Sequence, residues 1–564
     1  MTFRTLLSFF LICSPTLAAG QAKVASPGAA AAEIPHLQKQ GTATQLIVDG
    51  KPFLVLGGEL SNSSGTSPDY MKPLWPKLVD AKLNTVLAGV SWNQIEPHEG
   101  KFDFSALDGV IRDARVHNLR LMLLWFGSWK NAWSSYAPDW VKKDYERFPR
   151  VQIAGGKSIE VLSAFSNANR DADAKAFAAL LRHVRAIDTQ QRTVIMIQVE
   201  NEIGLPSEPK EYRDRSPIAS QAYEGQVPKE LMDYLQRHKD ALMPELRKVW
   251  EAAGSRTSGT WEQVFGTGTE AAEIFMGWNY ARYVDRVVEA GKAEYPLPMY
   301  MNAYTYGFAK AGEPIRNSGT PMPDLLDVWR AGAPRVDLFG LDIYYDDFAS
   351  FCADYNRSGN PLFIPETRGL APYGLEARVL YAFGRHDALG VSLMGVERPA
   401  ATPDPILTDV YKLIAQLAPL IAKHQGDGSM SAVLLDPKGP PQKIRVGNYT
   451  LEVAPLGSGR GAPPSVNFAA AIFIAAGPDE YYAAGTGVRV TFSPNGPGPE
   501  SAGIGTVEEG WFDNGRWVPS RQLAGDETGQ GQNLSLRSHP ADRNPDRFAG
   551  IQRFTLYRYG KVGL

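Results

Sequence analysis

The stretch VIMIQVENEIG, from Val194 to Gly204, climbs through apolar residues and ends in Glu200, Asn201 and Glu202. A second apolar run, PLFIPET from Pro361 to Thr367, delivers Glu366 in the same way. A carboxyl group at the exit of a buried segment has an apolar wall on one side and an open side for a reactant. It can therefore work as a general acid, a general base or a nucleophile. Strand alternation puts Glu200 and Glu202 on one face, so parity does not choose between them. Position does: Glu202 lies further out, toward a group leaving to solvent, and Glu200 reads as a hydroxyl acceptor or as part of a supporting hydrogen-bond network.

These residues need a frame. Buried strands are expected at Phe53–Leu60, Asn84–Trp92, Leu119–Phe126, Thr193–Asn201, Leu297–Tyr304, Asp337–Tyr345, Pro361–Thr367 and Gly390–Val396. Helical patterns lie between them, including Ser105–Asn118 with Ser105 as N-cap, Asp171–Asp188, and Pro228–Gly254, which Pro244 should break or kink. Near-continuous apolar strands alternating with helices imply a parallel sheet covered on its outside, and eight strands close a (β/α)₈ TIM barrel. An open doubly wound sheet would want a glycine-rich turn after the first strand; the nearest approach, GTGTEA at Gly266–Ala271, follows no clear strand. After about His424 glycine and proline become dense and short alternating segments follow. The α/β barrel, residues 45–425, is thus expected to be followed by a C-terminal antiparallel β-sandwich over 426–564. A lid contribution, a dimer contact or a scaffold are all roles open to it, and a dimer is compatible with the chain.

Functional groups of such barrels sit at the C-terminal strand ends. Here those ends carry Glu59; Trp92, Asn93 and Glu96; Trp125, Trp129, Lys130 and Asn131; Glu200, Asn201 and Glu202; Asn302 and Tyr304; Asp342, Tyr344, Tyr345 and Asp346; Glu366 and Arg368; Glu397 and Arg398. Acids, amides and aromatic rings on one rim fit a carbohydrate, whose C–H faces stack on rings and whose hydroxyls bond to carboxylates and amides. No phosphate loop, dinucleotide fingerprint, paired metal-binding histidines or Gly-x-Ser-x-Gly appears, and the 8 histidines are scattered. No metal and no cofactor is expected. A net charge of −3 without a basic run favours neither nucleic acid nor an anionic membrane.

Cleavage of a glycosidic bond needs two carboxyl groups on opposite sides of it. Glu202 and Glu366, from the fourth and seventh strands, are the natural pair. Trp129 or Trp133, in a polar loop, reads as a sugar platform, with Lys130 and Asn131 beside it as hydroxyl ligands. Trp92 is either a further platform or a cap on the barrel core. Asn302 and Glu397 complete the substrate-binding set, Glu397 having Arg398 as an alternative partner. Asp342 reads as structural.

IQVENEIG resembles the QVENEYG signature of the glycoside hydrolase family 35 β-galactosidases. NTVLAGVSWNQIEPHEGKFDFSALDGVI is similar to that family's second strand and loop, and VLGGEL at Val55–Leu60 to its first strand; the resemblance runs over roughly Leu46 to Val396. It implies Glu202 as acid/base, Glu366 as nucleophile of a retaining double displacement, Asn201 as ligand of the sugar 2-hydroxyl and, by analogy with the wider clan, Tyr344 as hydrogen-bond donor to the nucleophile. Strand three, LLWFGSWKNAW, and the LSNSS after Glu59 depart from the pattern, so the exact sugar stays open between β-galactoside and β-glucoside or β-mannoside. A non-catalytic glycan-binding barrel is the rival of a different class.

Arg4, the apolar run Leu6–Cys13 and the small residues Ala18, Ala19 and Gly20 read as a secretory signal peptide over 1–22, followed by a linker over 23–44. Export to the periplasm or medium is expected, with no stable membrane anchor. Cys13 would leave with the signal, and Cys352 would remain as a buried small hydrophobe.

Overall fold

The computed structural model describes residues 33–207, 211–305, 316–344, 347–357, 359–367, 374–398, 405–456, 469–537 and 550–560. The expected signal segment lies outside the described residues, as do Tyr345, Asp346 and Arg368.

Eight parallel strands close into a barrel: β1 (Val55–Glu59), β2 (Thr85–Ser91), β3 (Arg120–Lys130), β4 (Val194–Asn201), β5 (Met299–Thr305), β6 (Leu338–Ile343), β7 (Phe363–Thr367) and β8 (Gly390–Met394). Each pairs with its sequence neighbour, and β8 closes on β1. The closed order excludes the doubly wound alternative. The strands are apolar on both faces because both are covered. Val55, Leu87, Met122, Tyr300, Leu338 and Phe363 fill the interior near the strand starts, while outward residues such as Val86, Leu121 and Val199 join the larger core with the helices.

The N-terminal end of the barrel is plugged by a hairpin. His36–Gln40 pairs antiparallel with Ala43–Val48 through a turn at Gly41 (φ +55°), and Leu46 and Val48 enter the interior cluster. Regular structure therefore begins inside the stretch read as a linker: a left-handed turn at Gly41 lets HLQKQ find a partner strand that its own composition does not advertise. The Asp49–Gly50 turn lies where expected, with both residues left-handed.

Helix boundaries differ in local ways. Ser105 is the first helical residue, its N–H taken by the Asp103 carboxylate, rather than the cap. The helix expected from Asp171 starts at Asn167, capped by Ser166. Pro244 breaks the long pattern cleanly: helix Lys229–Arg237 stops, and Pro244–Ala252 begins on the proline, where its missing N–H costs nothing.

Beyond helix Pro405–His424 lie a six-stranded and a four-stranded antiparallel sheet. Both contribute to one apolar cluster, with Val433, Phe473 and Phe554 from the larger sheet and Leu451 and Val490 from the smaller. On the other face of the larger sheet, Ala432 and Ile472 pack on Gly384 of helix Leu375–His386, joining this unit to the barrel core. No helix among the described residues is long and apolar enough to cross a membrane.

Candidate active site

The site is shaped by an irregular end to β3. Between Trp125 and Lys130 this strand takes five steps while β4 takes two, from Val199 to Asn201. The surplus residues bulge, and the bulge turns backbone N–H groups toward β4. The N–H groups of Ser128 and Trp129 donate to the Glu200 carboxylate at 3.1 and 2.7 Å. Gly127 makes this possible, because a Cβ there would meet Trp125 Nε1, Glu200 Oε1 and Asp173 Oδ1 at 2.3, 2.6 and 2.7 Å.

Glu200 and Glu202 do not share a face. Both are left-handed (φ +62° and +49°), so alternation fails at this strand end. Glu200 turns outward to Asp173 of helix Asn167–Asp188, which also receives Trp125 Nε1 and Ser128 Oγ. Burial and the neighbouring Asp173 hold the Glu200 carboxyl well above its ordinary range. Glu200 is thus a wall group that fixes the β3 bulge, and not a substrate ligand.

Glu202 turns inward and is 2% exposed. Its N–H donates to Asn302 Oδ1 at 2.9 Å, and its Oε2 receives Asn131 Nδ2 at 2.7 Å. Asn131 is presented by a tight turn, with Lys130 and Trp133 bonded to each other through both backbone pairs and Asn131 and Ala132 left-handed (φ +52° and +64°). Burial, then the facing Glu366, raises the Glu202 carboxyl to about 8. That keeps it a proton donor near neutral pH.

Glu366, 3% exposed, faces it from β7. Tyr344 donates its hydroxyl to Oε2, and Asn201 Nδ2 reaches Oε1 at 3.4 Å. Burial, then Glu366, raises the Tyr344 phenol, so it stays a donor. Carboxylate oxygens of Glu202, Asp342 and Glu366 lie within 4.8 Å of one another. Three such oxygens could share a cation, but a fixed positive charge is already supplied. Lys130 Nζ, bonded to Asn201 Oδ1 at 2.9 Å and 5.0 Å from the Phe126 ring centroid, stands among them. Burial opposes its charge, and Glu366, Glu202, Glu59 and Asp342 outweigh that and raise its pKa.

Asn302 spends both ends of its amide on the protein, accepting from Glu202 and donating to Asp342 Oδ2 at 2.7 Å, so it orients the acids rather than the sugar. Asp342 is therefore part of the site and not merely structural. The signal was its spacing of two from Tyr344, which places both on one strand face. Trp129 is fully buried against Tyr280 and Tyr283, and Trp92 is fully buried with its Nε1 on Glu96 Oε2 at 2.9 Å. Neither is a sugar platform: β3 continues as a strand through Lys130 instead of ending in a loop, which carries Trp129 into the core. Trp133, 38% exposed, remains at the rim. Glu397 accepts from Ser61 N–H and Ser64 Oγ at 2.8 and 2.7 Å and ties β8 to the loop after β1, while Arg398 Nε donates to Ser61 Oγ.

Comparison with known proteins agrees with a carbohydrate site and points away from family 35. Residues 72–273, which include Glu202, match the glycoside hydrolase family 42 model, described as beta-galactosidase. That match displaces the family 35 assignment drawn from the VENE motif. Residues 407–535 match a domain of unknown function. A β-galactosidase of Xanthomonas manihotis is 32% identical over 193 residues, spanning 32% of this chain and 29% of that protein. The chain thus spans under a third of the length of this curated relative. Among solved structures, a β-galactosidase from Rahnella sp. R3 is 16% identical at a TM-score of 0.43, covering 65% of this chain and 57% of its own. One from Bacillus circulans sp. alkalophilus is 15% identical at 0.43, covering 64% and 56%.

Proposed function

We propose that this chain is a retaining, exo-acting glycoside hydrolase that releases terminal β-galactosyl residues from oligo- or polysaccharides. The observation that carries this reading is the approach of Glu202 and Glu366 from opposite arcs of the barrel mouth, with carboxylate oxygens within 4.8 Å. Retaining enzymes hold their carboxyl groups about 5–5.5 Å apart, whereas inverting ones leave about 6.5–9.5 Å for a water.

Glu366 attacks the anomeric carbon as the carboxylate, aligned by Tyr344 and Asn201. Glu202 gives its proton to the departing glycosidic oxygen, leaving a glycosyl-enzyme ester. The ionised Glu202 then takes a proton from water, which cleaves the ester with the original configuration. Loss of negative charge on Glu366 in the intermediate removes the repulsion that raised Glu202, so the same residue stays ionised and can accept a proton when a base is needed. Both carboxyls are almost fully buried, which supports a terminal sugar over an internal one. The galactosyl preference is supported by the β-galactosidase named among the relatives. The N-terminal apolar segment supports export, and the two C-terminal sheets sharing one apolar cluster support a sandwich.

Hydrolysis of aryl β-galactosides by the wild type, none by Glu366→Ala, and a first-formed β-anomer by NMR are expected. A preference for aryl β-glucosides or β-mannosides would overturn the sugar. An α-anomer would overturn the retaining step. Glycan binding without turnover would leave a binding protein.

A further inference from the structure

Four acids, Glu59, Glu202, Asp342 and Glu366, converge on one ammonium, Lys130. The hydrolytic reading uses Glu202 and Glu366, and Asp342 is bonded to Asn302. Glu59 has no role in it. It ends β1, is fully buried, and neither of its carboxyl oxygens meets an N–H or O–H donor among the described residues. The groups facing it are Lys130 of β3, Glu202 after β4, Tyr300 of β5, Asp342 of β6 and Glu366 of β7. Of the charged groups facing Glu59, Glu366 acts on its carboxyl most strongly. Beneath Glu59, Gly57 points the same way without a side chain, and the Tyr300 and Ser392 hydroxyls are also without partners.

A fully buried carboxylate with no donor on either oxygen is costly, and one next to a second carboxylate more so. A neutral carboxylic acid removes both costs, because it carries one O–H to donate and no charge to set against the Glu366 carboxylate. Resting on the hydrolytic reading above, we propose that Glu59 is a positioning residue held as the neutral acid, whose O–H is donated to the Glu366 carboxylate and fixes the nucleophile from the β1 side. Tyr344 and Asn201 hold Glu366 from the β6 and β4 sides; Glu59 adds the third constraint. Its neutrality also leaves Lys130 to balance the nucleophile instead of a second anion.

Glutamine at position 59 keeps a neutral N–H donor of similar reach, and alanine removes it. Glu59→Ala should lower kcat about 100-fold with KM little changed, as expected for a nucleophile displaced from its attack geometry. Glu59→Gln should recover activity to within about tenfold of wild type, with the pH profile keeping its shape. Equal losses in both variants, with wild-type hydrolysis intact, would show that a charge is required at 59 and would overturn the proposal alone. Infrared spectroscopy gives a readout independent of turnover. The protonated carboxylic C=O absorption near neutral pH, to which Glu202 also contributes, should fall by one group's intensity in Glu59→Gln relative to the wild type, and an unchanged intensity would overturn the assignment. Absence of wild-type hydrolysis would instead overturn the hydrolytic reading, with the infrared comparison still deciding the state of Glu59.

Discussion

Asn131 Nδ2 donates to Glu202 Oε2 at 2.7 Å from a turn in which Asn131 and Ala132 are both left-handed. The acid is thus held by a residue from the neighbouring strand, and the hold depends on a backbone conformation that asparagine and glycine tolerate better than other residues. Asn131→Gly keeps the turn and removes the amide. A donor to a carboxyl group favours its ionised form, so without it Glu202 keeps its proton to higher pH. The alkaline limb of kcat/KM, expected near pH 8 in the wild type, should move upward. Loss of alignment should lower kcat by roughly tenfold. Parallel pH–rate profiles of the two proteins check both; an unmoved limb would separate Asn131 from the titration.

Glu202 also links stability to pH. Its folded value, about 8, lies above its ordinary 4.5, so between those values the folded chain binds more protons than the unfolded one. Its contribution is therefore complete below about pH 4.5 and is lost as pH rises through about 8. Glu202→Gln lacks this loss. The stability difference between variant and wild type, read from Tm, should grow in the variant's favour across that window, reaching the order of a few kcal/mol at its alkaline end. Thermal unfolding at a series of pH values measures it, and a constant difference would contradict the raised value.

Gly127 is the tightest point in the β3 bulge. An added Cβ meets the Trp125 indole and the carboxylates of Glu200 and Asp173, all three held by hydrogen bonds that a shift would break. Gly127→Ala should cost about 1–3 kcal/mol through overpacking. Because Ser128, Trp129 and Lys130 follow directly, it should also lower kcat more than an equally destabilising change remote from the site. Denaturant midpoints compared with kcat for this variant and for a core variant such as Val433→Ala test the coupling.

The barrel was legible because eight apolar runs separated by helical periods admit few other closures. Glu366 was legible because it ends a run that would otherwise bury it. Glu200 was misplaced because the parity rule assumes extended backbone, and two left-handed residues at one strand end are not written in residue type. The same hidden bulge carried Trp129 into the core: a strand that continues past Phe126 looks, in SWKN, like a polar loop. Asp342 was undervalued because a lone buried acid in a strand usually solves a local problem, and its neighbours Glu59, Lys130, Glu202, Asn302 and Glu366 come from five other strands. Family identity was the least secure reading. VENE is four residues of one strand end, whereas the match to the family 42 model runs over residues 72–273 and so takes in β2, β3 and β4.

The two tryptophans of the β3 end separate packing from binding. Trp129 is fully buried between Tyr280 and Tyr283, with ring centroids at 5.3 and 4.6 Å. Trp129→Ala should therefore cost about 3–5 kcal/mol of stability, the usual consequence of emptying a large aromatic from a core. Trp133 stands two residues from Asn131 on the same turn and is 38% exposed. Trp133→Ala should leave Tm within about a degree or two, since surface truncations are usually worth under 0.5 kcal/mol. It should raise KM for a galactoside with a sugar aglycone by about five- to tenfold, one ring-stacking contact's worth, and change KM for a small aryl galactoside less. Steady-state kinetics on the two substrates, with unfolding curves alongside, distinguish the cases. An unchanged KM on both would remove Trp133 from the binding surface and leave the rim of this site without an aromatic platform on β3.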